Sequence, residues 1–122
     1  MKTNLIICLL CLFSLWTTAF AGEADVTDVV VKKNSKNSYD FSVTVFHKDA
    51  GWEHYANKWE VTDKKGTVIG TRILYHPHVN EQPFTRSLSG LKIPKNIKSV
   101  IIRAHDSIHG YGGKVITVDL PQ

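Results

Sequence analysis

Six histidines occur in three pairs along the chain, and histidine is the residue type here that is best suited to chemistry. Neutral imidazole is the commonest protein ligand for transition metals, and a pKa near about 6.5 leaves most rings neutral above pH 7. The pattern therefore predicts a metal site if the fold gathers the pairs. The six residues are His47, His54, His76, His78, His105 and His109.

Acidic residues beside the histidines extend the set of candidate ligands. Asp106 and Glu53 each stand next to a histidine, so either carboxylate could bind a metal or orient a ring. Pro77 separates His76 from His78 and would stiffen their spacing, which lowers the entropy cost of holding both rings. We predict that the metal ligands come from the six histidines and Asp106.

An ordinary structural role stays open for each histidine taken alone. His47 continues the apolar face of a predicted strand, so it could be a hydrogen-bonded core residue. His76 and His78 could simply flank a turn made by Pro77 and Asn80. The metal prediction therefore depends on the group rather than on any one member.

Both cysteines lie in an N-terminal segment that is typical of a secretory signal. Lys2 supplies the positive start, residues 5–16 the apolar stretch, and residues 19–21 a small-x-small cleavage site. The apolar stretch is too short for a helix that would hold the protein in a membrane. Leu10 stands before Cys11, where a lipid-modified cysteine has a small residue, so we expect no lipid anchor there.

Cleavage after Ala21 would leave residues 22–122 as a single domain without cysteine or methionine. That composition excludes a disulfide framework, a cysteine-based zinc module, an iron–sulfur protein, a thiol enzyme and a blue-copper site. The formal net charge of +4 is small and the charges are interspersed, so nucleic acid is not an expected partner.

Period-two alternation and turn signals predict an all-β fold for the mature chain. For example, Phe41, Val43 and Val45 would share one face of a strand, with Ser42 and Thr44 on the other. Seven short strands in about 100 residues predict a seven-stranded immunoglobulin-like antiparallel β-sandwich, and an open barrel is the alternative. The predicted strands are 25–32, 39–47, 54–62, 67–75, 84–91, 98–104 and 114–120.

Alternating strand directions would place all six histidines at one end of the sandwich. The loops after the second, fourth and sixth predicted strands share that end, and each carries or borders one histidine pair. Three loops at the mouth of a rigid sandwich can bring ligands together without straining any strand. The loops at the opposite end carry lysines instead, namely Lys32, Lys33, Lys36, Lys64, Lys65, Lys95 and Lys98.

Two segments resemble the iron site of the superoxide reductases, the desulfoferrodoxin and neelaredoxin family. Residues 46–61 read FHKDAGWEHYANKWEV, which is similar to the family's His-Pro-Met, a few acidic residues and then His-Tyr-Ile-x-Trp-Ile-Glu-Leu. Residues 106–110 read DSIHG, which is similar to the family's Cys-Asn-Leu-His-Gly. The resemblance implies an immunoglobulin-like domain that holds ferrous iron, with His47, His54 and His109 among the ligands.

The chain also departs from the family pattern at its most characteristic ligand. Asp106 stands where the family has its axial cysteine, and a carboxylate does not supply the thiolate bond on which superoxide reduction relies. No histidine occurs between Gly22 and Phe46, where the family has its first ligand. The resemblance therefore implies a divergent relative with a rebuilt site of nitrogen and oxygen ligands.

A cysteine-free site of histidine and carboxylate suits Cu(II), Zn(II), Ni(II) or Fe(II). Intrinsic affinity favours copper, whereas the resemblance favours iron. We expect a secreted or periplasmic protein that binds, delivers or uses a transition metal, and we leave open both a periplasmic protein partner and an oxidoreductase activity like that of superoxide reductases. The alternative is a metal-free immunoglobulin-like module that binds a protein or a glycan through Trp52, Tyr75 and Tyr111.

Overall fold

Alternating apolar residues define the strands in the computed structural model, which describes residues 22–122. Phe41, Val43 and Val45 are at most 1% exposed, whereas Ser42 and Thr44 between them are only partly buried. This is the alternation expected of a strand with one face on a core. The predicted signal segment, residues 1–21, lies outside the described residues.

Seven strands form two antiparallel sheets, which confirms the all-β prediction. A three-stranded sheet has the order β1-β2-β5, and a four-stranded sheet has the order β4-β3-β6-β7. Over residues 22–122 no helix is long and apolar enough to cross a membrane. The strands are β1 (Asp25–Ser35), β2 (Ser38–Phe46), β3 (Ala56–Thr62), β4 (Val68–Ile73), β5 (Phe84–Lys92), β6 (Ser99–Asp106) and β7 (Ile116–Asp119).

Side chains from both sheets form one apolar core. Phe41 of β2 and Phe84 of β5 contribute from the three-stranded sheet, and Trp59 of β3 and Ile102 of β6 from the four-stranded sheet. All four are at most 2% exposed. Burying a side chain of this size stabilises the fold by about 1.5–3 kcal/mol, so the core gives the loops at its ends a rigid base.

The strand ends differ from the predicted ones at the places that matter for the histidines. Strand β6 continues to Asp106, two residues beyond the predicted end, because Ala56 at the start of β3 pairs with it. Side chains alternate along a strand, so Asp106 faces the interior and His105 faces the outside of the four-stranded sheet. Strand β3 begins at Ala56 rather than at 54, which leaves His54 in the preceding loop.

Three loops meet at the end of the sandwich where β2, β4 and β6 finish. They comprise residues 47–55, 74–83 and 107–115. The Ser107 amide donates a hydrogen bond to the Tyr55 carbonyl (2.9 Å), and the His47 amide donates one to the Gln82 side chain (3.0 Å). These contacts tie the three histidine-bearing loops to one another.

Candidate metal centre

Asp106 forms the floor of the candidate centre. It ends β6 and its side chain is fully buried. One oxygen, Oδ1, accepts hydrogen bonds from the backbone amides of Ile108 (3.0 Å) and His109 (2.7 Å), which closes the turn after the strand. The other oxygen, Oδ2, is buried and receives no hydrogen bond from any residue between 22 and 122.

The carboxyl of Asp106 is held in its charged form. Burial acts to raise its pKa, but hydrogen bonds from the His109 and Ile108 amides and from the His54 ring outweigh burial and leave the pKa lowered. A carboxylate must be deprotonated to bind a metal, so Asp106 is a ready ligand at neutral pH.

His54 reaches Asp106 from the loop between β2 and β3. Its Nε2 lies 3.0 Å from Oδ1 of Asp106, and its side chain is 16% exposed. The loop turns back on itself through hydrogen bonds from the His54 amide to the Gly51 carbonyl (3.2 Å) and from the Ala50 amide to the His54 carbonyl (2.8 Å). Gly51 has a φ of 104°, a backbone conformation that favours glycine.

His47 lies beneath this loop, and its side chain is fully buried. Its Nδ1 lies 2.6 Å from Oδ1 of Asp49, and its Nε2 lies 2.9 Å from the carbonyl oxygen of Gly22. Asp49 also accepts hydrogen bonds from the Ala56 amide (2.9 Å) and the His78 amide (2.7 Å). This buried carboxylate therefore fixes the His47 ring and joins two of the loops.

His47, His54 and Asp106 together could hold a metal ion. One ligand atom from each lies within 4.8 Å of the others. Ligand atoms bound at about 2.1 Å are about 3–4 Å apart around a metal, so small side-chain rotations would close the group. An imidazole whose other nitrogen bonds to a carboxylate, as His47 does with Asp49, is the usual arrangement around a protein-bound metal.

His109 lies at the rim of this group. Its Nδ1 is 3.3 Å from Oδ1 of Asp106, its ring centroid is 4.9 Å from that of His54, and its side chain is 36% exposed. It lies outside the set of three residues whose ligand atoms are mutually close. A modest rotation of the exposed ring would add a third imidazole to the centre.

His76 and His78 form a separate pair on the loop between β4 and β5. Their ring centroids are 4.6 Å apart, and the His78 ring stacks on Phe84 at 4.0 Å. The Arg86 guanidinium donates a hydrogen bond to Nε2 of His78 (2.8 Å). Because Nε2 accepts this hydrogen bond, the His78 ring is neutral and carries its proton on Nδ1. Burial lowers the pKa of His78, and the charges of Arg86 and His76 add to the effect.

His105 faces away from the centre, on the outer face of the four-stranded sheet. Its Nδ1 lies 2.6 Å from Oδ1 of Asn57, and its ring packs edge-on against Tyr111. Burial and then the charge of Lys58 lower the pKa of His105. Glu53, the second carboxylate considered from the sequence, is exposed and lies outside the group of three.

Two residues that contact His47 had no place in the predicted ligand set. Asp49 follows His47 by two residues, and a carboxylate so close to a histidine was a signal that the sequence offered. The Gly22 carbonyl lies 25 positions away in the chain, so nothing in the local pattern indicated its contact with the ring.

Comparisons with known proteins point to one similar protein. No family model matches the chain, and no solved structure matches it. A curated protein of Halomicrobium mukohataei named "Putative lipoprotein" is 40% identical over 97 residues. The match covers 80% of this chain and 47% of that protein, so the chain spans about half the length of this relative.

Proposed function

We propose that this chain is an extracytoplasmic protein that binds a transition metal ion through His47, His54 and Asp106. The observation that carries the proposal is the buried Oδ2 of Asp106, which receives no hydrogen bond from the described residues and belongs to a cluster with two imidazoles. An unpaired buried carboxylate oxygen is costly, by about 1–3 kcal/mol or more, and a bound cation would offset that cost.

Two observations support a location outside the cytoplasm. The relative from Halomicrobium mukohataei is named "Putative lipoprotein", a name that suggests export, and the first residues of this chain follow the pattern of a secretory signal. We propose that the domain acts in the periplasm or after secretion.

The types of ligand atom limit which metal ions the proposed centre can bind. Two imidazoles and a carboxylate without sulfur suit Cu(II), Zn(II), Ni(II) and Fe(II), and the general order of affinities puts copper first. We propose copper on that ground. Iron is the competing assignment, because two histidines and one carboxylate also form a common Fe(II) site and the sequence resembles an iron family.

The relationship to superoxide reductases is also a proposal. The strand orders β1-β2-β5 and β4-β3-β6-β7 support an immunoglobulin-like sandwich, the fold that the resemblance implies. His47 and His54 carry the resemblance and lie in the cluster, with His109 at its rim. Asp106 in place of the axial cysteine leads us to expect metal binding rather than superoxide reduction.

A metal titration tests the proposal. Chelator-treated secreted protein at pH 7.5 would be titrated with Cu(II), Zn(II), Ni(II) and, without oxygen, Fe(II). We expect one equivalent of at least one metal to bind with a Kd below about 10 μM, equivalent to about 7 kcal/mol. His54→Ala should abolish that binding, whereas His76→Ala, at the same end but outside the cluster, should preserve it. Folded protein that binds none of the metals would refute the proposal.

A second candidate function comes from exposed aromatic residues at the same end. Trp52 and Tyr75 are 66% and 74% exposed, which is unusual for large aromatic side chains. A metal-free module could use them to bind a protein or a glycan. In that case, Trp52→Ala and Tyr75→Ala should abolish partner binding, and neither the His54→Ala variant nor removal of metal should affect it.

A further inference from the structure

We propose that the end of the sandwich opposite the candidate metal centre binds an anionic phospholipid surface through its lysines. Six exposed lysines lie on the strand ends and loops there, far from the residues proposed to hold the metal. The proposal therefore does not depend on a bound metal ion. This surface, the lysine end, comprises Lys33, Lys36, Lys64, Lys65, Lys95 and Lys98.

Backbone hydrogen bonds hold the segments of the lysine end together. The Ile93 amide donates to the Asn37 carbonyl (2.8 Å), which joins the connection between β5 and β6 to the hairpin between β1 and β2. The Leu120 amide donates to the Lys98 carbonyl (2.9 Å), which fixes the end of the same connection. The lysines therefore project from a rigid base.

Two adjoining surface cavities cross the lysine end. The larger, of about 370 Å³, lies between the β3–β4 and β5–β6 connections and has three of these lysines in its lining. The smaller, of about 230 Å³, lies between the β1–β2 and β5–β6 connections and has four. Lys98 and Ile97 line both cavities, so the six lysines form one continuous surface.

Carboxylates do not neutralise the charge of the lysine end. Among residues 22–122, the ion pairs of lysine and arginine are those of Lys58, Arg86 and Arg103, and no lysine of this end forms one. Asp63, in the lining of the larger cavity, instead accepts hydrogen bonds from two backbone amides of its own turn (both 2.9 Å). Unpaired charge of one sign attracts a surface of the opposite sign.

The residue types at this end favour a lipid surface over a protein partner. Lysine is a hydrated point charge on a flexible stem, which suits a fluid layer of phosphate groups, whereas arginine and aromatic residues are enriched in protein interfaces. The arginines of this chain lie within β4, β5 and β6, and the exposed Trp52 and Tyr75 lie at the metal end. The lysine end therefore has the composition of a surface that binds lipid by charge alone.

Binding in this way would hold the metal centre away from the lipid. Strand β2 has nine residues and connects the two ends, so at about 3.3 Å per residue it spans about 30 Å. This distance exceeds the Debye length of about 8 Å at physiological ionic strength. An anionic surface would therefore attract the lysines with little effect on the exposed Glu53 and Glu81 at the other end.

Sedimentation with lipid vesicles tests the proposal. The protein exported from the full chain would be mixed with vesicles of phosphatidylglycerol and phosphatidylcholine in equal parts, or of phosphatidylcholine alone, at about 0.1 M salt. We expect at least about tenfold stronger binding to the anionic vesicles, and its loss at about 1 M salt, where the Debye length is about 3 Å. Equal binding to both kinds of vesicle, or binding to neither, would overturn the proposal.

Two variants of equal net charge locate the binding surface. Lys64→Gln with Lys98→Gln removes two charges from the lysine end, and Lys48→Gln with Lys114→Gln removes two exposed charges from the metal end. Each lysine near an anionic surface strengthens binding about fivefold, so the first variant should weaken vesicle binding at least about tenfold and the second less than about twofold. Equal losses in the two variants would overturn the assignment to the lysine end.

A soluble acidic polypeptide distinguishes lipid from a protein partner. Polyglutamate presents carboxylates in solution, without the dense layer of phosphate groups that a vesicle offers. We expect it to compete poorly with the anionic vesicles at equal concentrations of negative charge. Binding to polyglutamate without binding to the vesicles would overturn the lipid assignment.

Discussion

Asp106 is the central side chain of the proposed metal centre. It is fully buried, and its Oδ2 accepts no hydrogen bond from residues 22–122. Backbone amides neutralise part of its charge from one side. A metal ion beside Oδ2 would neutralise the remaining charge, since buried charges in proteins are usually paired.

The first prediction concerns the charge of Asp106. Asp106→Asn keeps the shape of the side chain but removes the anionic ligand. We therefore expect metal affinity to fall at least about 100-fold, which is more than is usual when a residue that only orients a ligand is removed. Isothermal titration of the metal-free protein measures the change. Asp119→Asn, an exposed aspartate on β7, is the matched control, and equal losses in the two variants would contradict the role of Asp106.

The second prediction concerns Asp49, which orients a ligand without binding the metal. Asp49→Asn should lower metal affinity by about 10–100-fold, because the His47 ring loses the carboxylate that fixes its tautomer. The same titration measures it, with a check by circular dichroism that the variant is folded. Glu53→Gln should have no effect, since Glu53 is exposed and outside the cluster. An unchanged affinity for Asp49→Asn would show that the contact is only structural.

At the level of strands and loops, the sequence was enough to predict much of the arrangement. The alternation around Phe41 and Val43 indicated the strands, and the order of strands indicated which loops share an end. The structure then divides the histidines of that end into groups. His47, His54 and His109 lie around Asp106, His76 pairs with His78, and His105 faces outward.

The reason for this division is the strand register, which the sequence left undetermined. Moving along a strand by one residue changes the face, so extending β6 to Asp106 places that residue inside and His105 outside. The predicted end at 104 gave no basis for choosing between them. The contact of Gly22 with His47 depends on the packing of distant segments and had no local signature.

The third prediction concerns the contact between residues 24–26 and the loop before β7. Gly113→Ala would place a Cβ against the Ala24 carbonyl, so we expect a loss of about 1–3 kcal/mol of stability from overpacking. Because the displaced segment leads to Gly22, whose carbonyl oxygen contacts the His47 ring, metal affinity should fall as well. Urea unfolding and metal titration measure the two effects, and Val115→Ala, an exposed neighbour, should change neither. Unchanged stability would contradict the close packing.

At the scale of the whole molecule, buried ionisable groups make stability depend on pH. Burial acts to raise the pKa of Glu60, but hydrogen bonds from Tyr111, Arg103 and Lys58 outweigh it and leave the pKa lowered. Glu60 therefore contributes stability that is complete above its ordinary pKa near 4.5 and is lost as the pH falls through its lowered value. The stability that Glu60 contributes is therefore lost only below pH 4.5, which is below the range in which histidines titrate.

The fourth prediction concerns how stability depends on pH in the range where histidines titrate. The pKa values of His78 and His105 are lowered from 6.5, so the unfolded chain takes up protons before the folded chain does. Their contribution is complete above pH 6.5 and is lost as the pH falls below it. We expect the metal-free protein to be less stable to urea at about pH 5.5 than at about pH 7.5. His105→Asn should reduce the difference, and a difference that does not shrink would contradict the assignment to His105.

The location of a bound metal ion is the decisive measurement for the proposed centre. Crystals of residues 22–122 grown with Cu(II) would be measured at the copper absorption edge, where anomalous scattering identifies the ion and its position. We predict one fully occupied peak with ligand atoms of His47, His54 and Asp106 at about 2.0–2.2 Å. A peak between His76 and His78 instead, or no peak at the cluster in crystals soaked at saturating copper, would contradict metal binding by His47, His54 and Asp106.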